Sequence, residues 1–189
     1  MDSVRELLRA VPPNSQPFWV NAVGAKIAAS DLTEPQMITL TRKCILHAFG
    51  VNHNYFKPRV SAESLALLEQ IVAAIEDVSS VSEFPSAEIE EMTYTVMPAP
   101  DSSDEVVPGW VALLDAIGPF VEYRNERNTA SLFWAIASAY QSVSKRACAE
   151  YHGVEGNCGF MDDEKQVERD NELCAREIQY HLEQLAALG

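Results

Sequence analysis

The sequence predicts an all-α fold: a single-domain bundle of about seven helices over residues 1–189, with one short strand or irregular segment near residues 92–97. Three observations predict it. Apolar residues recur at threes and fours through most of the chain, which is the spacing of a helix face. Capping residues and breakers, such as Ser61, Asn128 and Pro12-Pro13, cut that pattern into helix-length pieces. Only Thr93-Tyr94-Thr95-Val96, β-branched and aromatic, suits a strand. With 189 residues and 47% apolar side chains, the chain can build one core without disulfides or a structural metal.

The elements follow in order. Ser3-Val4-Arg5-Glu6 has capping-box spacing, and Val4, Leu7, Leu8 and Val11 form a stripe that ends at Pro12-Pro13. A second helix is expected over about 17–29, with Phe18, Trp19, Val23 and Ile27 inward. Asp31 to Pro35 reads as a helix start, since polar caps precede an acid and a first-turn proline. Its stripe is Met37, Leu40, Cys44, Ile45 and Ala48, and Gly50 is expected to close it, leaving 51–59 as a loop. Ser61 opens a long helix with Leu65, Leu68, Ile71, Val72 and Ile75 inward and Glu63 near the positive end of its dipole.

Residues 79–85 break that helix, and Met97 to Asp104 reads as a protruding loop. Pro108 to Tyr123 is helical by its stripe of Trp110, Leu113, Leu114, Ile117 and Val121, with a kink or break expected at Gly118-Pro119. Asn128-Thr129 caps a strongly apolar helix to about Tyr151, read as the central one. Leu132, Phe133, Ile136, Tyr140 and Val143 point inward, and Ala135, Ala137 and Ala139 form a small-residue face. A glycine-containing loop at 153–159 precedes one last helix over about 162–188, with Val167, Cys174, Ile178, Leu182 and Leu185 inward.

Composition narrows function. The chain carries 28 acidic and 14 basic side chains, a net charge of −14. From Val60 to Tyr123 there is no Lys or Arg, yet this stretch holds 13 carboxylates, so it supplies 13 of the 14 excess charges. Such a block repels phosphate, which argues against direct nucleic-acid binding. No glycine-rich phosphate loop and no G-x-S-x-G elbow occurs. No apolar run approaches a membrane span, and the start, MDSVRELLRA, lacks the pattern of a signal peptide. The irregularly spaced Cys44, Cys148, Cys158 and Cys174 suggest reduced thiols in a cytoplasmic protein.

Two constellations bear on chemistry. Cys148-x3-His152-x5-Cys158, with Asp162 behind it, offers soft metal ligands or a Cys/His pair, but it lacks the tight paired spacing of structural zinc. No cofactor is expected. His47 and His53 have no ligand partner nearby in sequence, and His181 reads as boundary packing. The acidic runs around Glu88 and Asp162 read as solvated faces, the second explained by a helix dipole.

The acidic block is the remaining signal. A surface rich in carboxylates and free of cations complements a basic partner and speeds its association. The expected contact centres on Glu83, Glu88, Glu90, Glu91, Asp101, Asp104 and Glu105, with Tyr94 and Met97 as apolar anchors. The central helix, with Phe133-Trp134-Ala135-Ile136-Ala137-Ser138-Ala139-Tyr140, is followed by the glycine-containing loop and by Met161-Asp162-Asp163-Glu164-Lys165-Gln166. In these features the last third resembles the small all-helical immunity proteins of bacterial toxin systems. The resemblance implies a non-catalytic inhibitor that neutralises a cognate toxin, here a basic one such as a nuclease. Two other classes stay open: a phage-type inhibitor or nucleic-acid mimic that blocks a nucleic-acid-handling complex, and an enzyme on a helical scaffold that uses Cys148, His152 and Cys158.

Overall fold

The computed structural model describes residues 19–77, 107–126, 129–152 and 161–189. Within them the chain is all-α, with seven α-helices, one π-helical turn and no strand. The π-turn, Val20–Gly24, runs into α1, Ala25–Ala28. Then come α2 (Glu34–Phe56), α3 (Ala62–Asp77), α4 (Trp110–Glu126), α5 (Thr129–His152), α6 (Met161–Asp170) and α7 (Glu172–Ala186). The expected first helix at Ser3–Val11, the segment at 92–97 and the loop at 153–159 lie outside the described residues.

The central position of α5 follows from its composition. Ala135, Ala137 and Ala139 are buried alongside Leu132, Ile136, Tyr140 and Val143, so backbones approach it from several sides. It packs against α4 and α2 along most of its length and also meets α6, α7 and the π-turn. The predicted stripes of α2, α3 and α4 are all buried, and they join α5 in one continuous core. Fully burying a leucine or isoleucine is worth about 1.5–3 kcal/mol, so the stripe of α3 alone is a substantial part of what holds that helix down.

The caps behave as their chemistry requires. At the start of α2 the Thr33 N–H and hydroxyl both donate to Gln36 Oε1, at 2.8 and 2.7 Å, with Pro35 in the first turn. The Gln36 amide donates onward to the Leu188 carbonyl, which ties the end of the described chain to α2. Ser61 Oγ accepts from Ser64 N at 3.0 Å and starts α3.

Three expected boundaries are corrected. Gly50 does not close α2, which continues to Phe56. Glycine costs a helix interior about 1 kcal/mol, and what lies beyond it outweighs that. Phe56 and Tyr55 are buried, Asn52 Nδ2 donates to Ser142 Oγ at 2.7 Å, and Arg146 donates to the Val51 carbonyl at 2.6 Å. Arg146 and Arg59 also lie over the two faces of the Tyr55 ring, 5.1 and 4.0 Å from its centroid. Likewise α4 runs through Gly118-Pro119. The proline removes one N–H, but Ala116, Ile117, Phe120 and Val121 on either side are buried and hold the helix line.

The third correction concerns the last helix, which is two. It breaks at Asn171, whose backbone is extended and whose side chain accepts from Leu173 N at 2.8 Å, capping α7. Asparagine is among the strongest N-caps, and the cap competes with helix continuation.

Candidate functional site

The proposed contact residues Glu83, Glu88, Glu90, Glu91, Tyr94, Met97, Asp101, Asp104 and Glu105 all lie outside the described residues. The described part of the acidic block is α3 with α4. Leu65, Leu68, Ile71, Val72 and Ile75 turn one side of α3 into the core, which leaves Glu63, Glu69 and Glu76 exposed on the other. The block is not free of positive partners in space. His53, on α2, meets Glu69 at 2.8 Å, and Lys145, on α5, opposes the burial that raises the Asp115 carboxyl. Contacts from outside the block therefore neutralise part of it, while the outer face of α3 keeps its carboxylates.

The Cys148, His152 and Cys158 constellation is corrected. Cys148 is disulfide-bonded, whereas Cys44 and Cys174 are free thiols. Metal ligation and nucleophilic attack both need a thiolate, so a sulfur held in a disulfide supplies neither. The His152 side chain and Cys158 lie outside the described residues. The expectation of fully reduced cysteines, and the compartment argument built on it, lose their premise, because widely spaced cysteines do not reveal which of them meet. Among the described residues no group of three or more His, Cys, Asp and Glu side chains is placed to hold a metal. Nor is any helix there long and apolar enough to cross a membrane.

The disulfide makes a direct prediction. Alkylation of the folded chain should spare Cys44 and Cys174, which are fully buried. Denaturation without reductant should expose both to label, while Cys148 should label only after reduction. Labelling of Cys148 in the unreduced denatured chain would count against the bridge.

The most elaborate polar arrangement lies where sequence reading placed nothing. Glu177 of α7 is 1% exposed, and both its oxygens are bound. His47 Nδ1, from α2, meets Oε2 at 2.8 Å, and His181 Nε2, one turn along α7, meets Oε1 at 3.1 Å. The indole N–H of Trp19 donates to His181 Nδ1 at 2.9 Å. That bond settles the tautomer: Nδ1 accepts, so Nε2 carries the proton and donates to Glu177, and His181 is neutral. His47 stacks flat on Tyr180, with ring centroids 3.6 Å apart at 8°.

Comparison with models of known protein families, with curated proteins and with solved structures finds no match for the chain. Function must therefore be read from these residues alone.

The electrostatics of the Glu177 group follow from its contacts. Burial pushes the carboxyl up, but the hydrogen bonds and charges of His181 and His47 outweigh it and hold the group below the usual glutamate value. Burial and then the Glu177 charge raise the neighbouring Cys44 thiol, so that thiol stays protonated and unreactive. Tyr180 is raised by burial, Cys44 and Glu177. A second buried group adjoins: burial, then Cys174 and Glu168, raise Tyr140, whose hydroxyl lies beside both without closing a well-formed hydrogen bond.

This arrangement corrects the reading of His181 as boundary packing, since the ring is fully buried. A signal for it was present. Cys174, Glu177, Ile178 and His181 share one helix face at i, i+3, i+4 and i+7, so an acid and a histidine stand on the apolar side of α7. The partner histidine, 130 residues away, carries no such signal. The arrangement orders three elements around one carboxylate. No nucleophile in an activated state accompanies it among the described residues, because the nearby thiols and phenols are held protonated.

Proposed function

We propose that this protein is a non-catalytic inhibitor that binds a basic protein partner through an acidic surface. The specific form we propose is an immunity protein that neutralises a nuclease toxin in the cytoplasm of the cell that makes both. One observation carries the reading: 13 of the 14 excess negative charges fall between Val60 and Tyr123, a stretch without Lys or Arg. The exposed Glu63, Glu69 and Glu76 on the outer side of α3 support it. A nuclease must present a positive face to its substrate, and an acidic protein that covers this face denies access to phosphate. The Cys148 disulfide is compatible with a cytoplasmic setting only if it is sheltered from reductant, which the labelling experiment measures on protein taken directly from cells.

The test is affinity capture from the source cell's lysate at low salt, with mass spectrometry of what elutes as salt rises. One basic protein bound near one-to-one is the expected result, and its identity separates a toxin from nucleic-acid machinery. Reversing Glu88, Glu90 and Glu91 to Lys together should slow association by about tenfold or more and flatten its salt dependence. Unchanged association after that triple reversal removes the proposed surface. A folded protein that retains nothing specific removes partner binding altogether.

A further inference from the structure

We propose that His181 is a pH-operated latch: when neutral it holds the segment from Trp19 to Ala28 against α7, and when protonated it releases it. Trp19 is 1% exposed and is the segment's main anchor. Its ring sits edge-on to Phe133 at 5.4 Å and to His181 at 6.1 Å, and stacks with Tyr140 at 6.4 Å. Its indole N–H is satisfied by His181 Nδ1. Because Nε2–H is committed to Glu177, the ring can take up a proton only at Nδ1, where the indole hydrogen points. Protonation then sets two N–H donors face to face and leaves a buried indole donor without an acceptor.

The ring cannot turn away to relieve this. Glu177, fixed from its other side by His47, favours the imidazolium and keeps it in place. The remaining groups around the ring do not offset that preference. On α2, Cys44 is held protonated and Lys43 is occupied by Gln184 Oε1 at 2.9 Å. On α7, Tyr180 is held neutral, and on α5 so is Tyr140, with Cys174 and Glu168 beyond it. Trp19 is therefore the group that gives way.

The segment it anchors is built to detach. The turn directly after Trp19 is π-helical, a rare conformation that marks functional sites more often than structural ones. The α-helix beyond it is four residues long and buries Ile27, while Ala25, Lys26 and Ala28 face solvent. A piece with so few anchors belongs to the low-stability end of a fold. This inference is independent of the acidic-surface reading.

The test uses the full chain labelled with nitrogen-15. The Trp19 indole N–H, identified by its loss in Trp19→Phe, is followed from about pH 8 to about pH 5, the window in which imidazole titrates, alongside far-UV circular dichroism. After correction for intrinsic exchange, its exchange should accelerate by on the order of tenfold or more while helix content holds. The imidazole nitrogens of His181 should report protonation with the same midpoint. His181→Gln offers an acceptor to Trp19 and a donor to Glu177 without titrating, so it should keep the indole protected throughout. Persistent protection in the parent, release only together with loss of helix, or separate midpoints for His181 and Trp19 would each overturn the latch. The last comparison needs no variant to fold.

Discussion

Replacing Gly109 with alanine is expected to destabilise the protein by about 4 kcal/mol, the sum of a left-handed backbone penalty and a steric clash. Gly109 is at φ +84°, a conformation that residues with a Cβ rarely adopt. A methyl group there would stand 2.2 Å from the Ser142 carbonyl oxygen. That oxygen belongs to the backbone of the central helix and cannot swing aside. The site is also a junction, since Ser142 Oγ donates to the Gly109 carbonyl at 2.8 Å while accepting from Asn52. Any shift that relieves the methyl therefore disturbs the contact of α2 with α5 and the entry to α4.

Urea denaturation of the variant and parent measures this loss. Gly50→Ala and Gly118→Ala are the matched controls. Both glycines lie inside helices with nothing within 4 Å of the point where a methyl would stand, so alanine should be neutral or stabilise by up to about 1 kcal/mol. A loss below about 1 kcal/mol for Gly109→Ala, within the range of a simple propensity effect, would show that the turn relaxes freely and would remove the steric account.

Glu177→Ala should cost about 3–5 kcal/mol, the range for removing one partner of a buried ionic group. His47 and the buried His181 Nε2–H lose their acceptor together, in a place water does not reach. The pH dependence has a definite sign. The folded carboxyl titrates below its unfolded value of about 4.3, so the unfolded chain binds more protons in that window. The stabilisation is complete above about pH 4.3 and is lost as pH falls through the folded value.

Glu177→Gln keeps the shape and an acceptor but not the charge. It should cost less near neutrality and should lack this part of the acid limb. Denaturation midpoints between about pH 7 and about pH 3 distinguish the outcomes. If Glu177→Gln and the parent lose stability in parallel across that range, the carboxylate is not the group responsible. The latch proposed at His181 acts at higher pH and leaves helix content intact, so the two effects separate on one titration.

The two kinds of sequence signal differ in reach. The stripes of α2, α3, α4 and α5 are short-range patterns in which each residue's burial follows from its neighbours at threes and fours, and those stripes are buried with few exceptions, such as the partly buried Phe133. The misread boundaries share one cause. Gly50 and Pro119 are local breakers overruled by distant contacts, while Asn171 is a local cap that prevailed inside a continuous stripe. Propensities near 1 kcal/mol lose to several buried side chains, and they win where a specific hydrogen bond rewards the break.

For the candidate site, sequence revealed a concentration of charge, and for α3 the apolar stripe also revealed which side would carry it. It did not reveal that His53 and Lys145, from other elements, approach that block.

The order of residues is enough to make this chain helical, to lay its core along a few apolar stripes, and to concentrate its negative charge in one contiguous third. These properties are set by residues a few positions apart, and a helix displays them wherever it packs. It took the packing of distant elements to bring two histidines to Glu177, to set one of them against Trp19, and to fit Gly109 against Ser142. Each of those contacts joins residues that are distant along the chain, apart from the single helical step from Glu177 to His181. Close packing selects such partners from the whole core, and a pattern of period 3.6 carries no record of that selection.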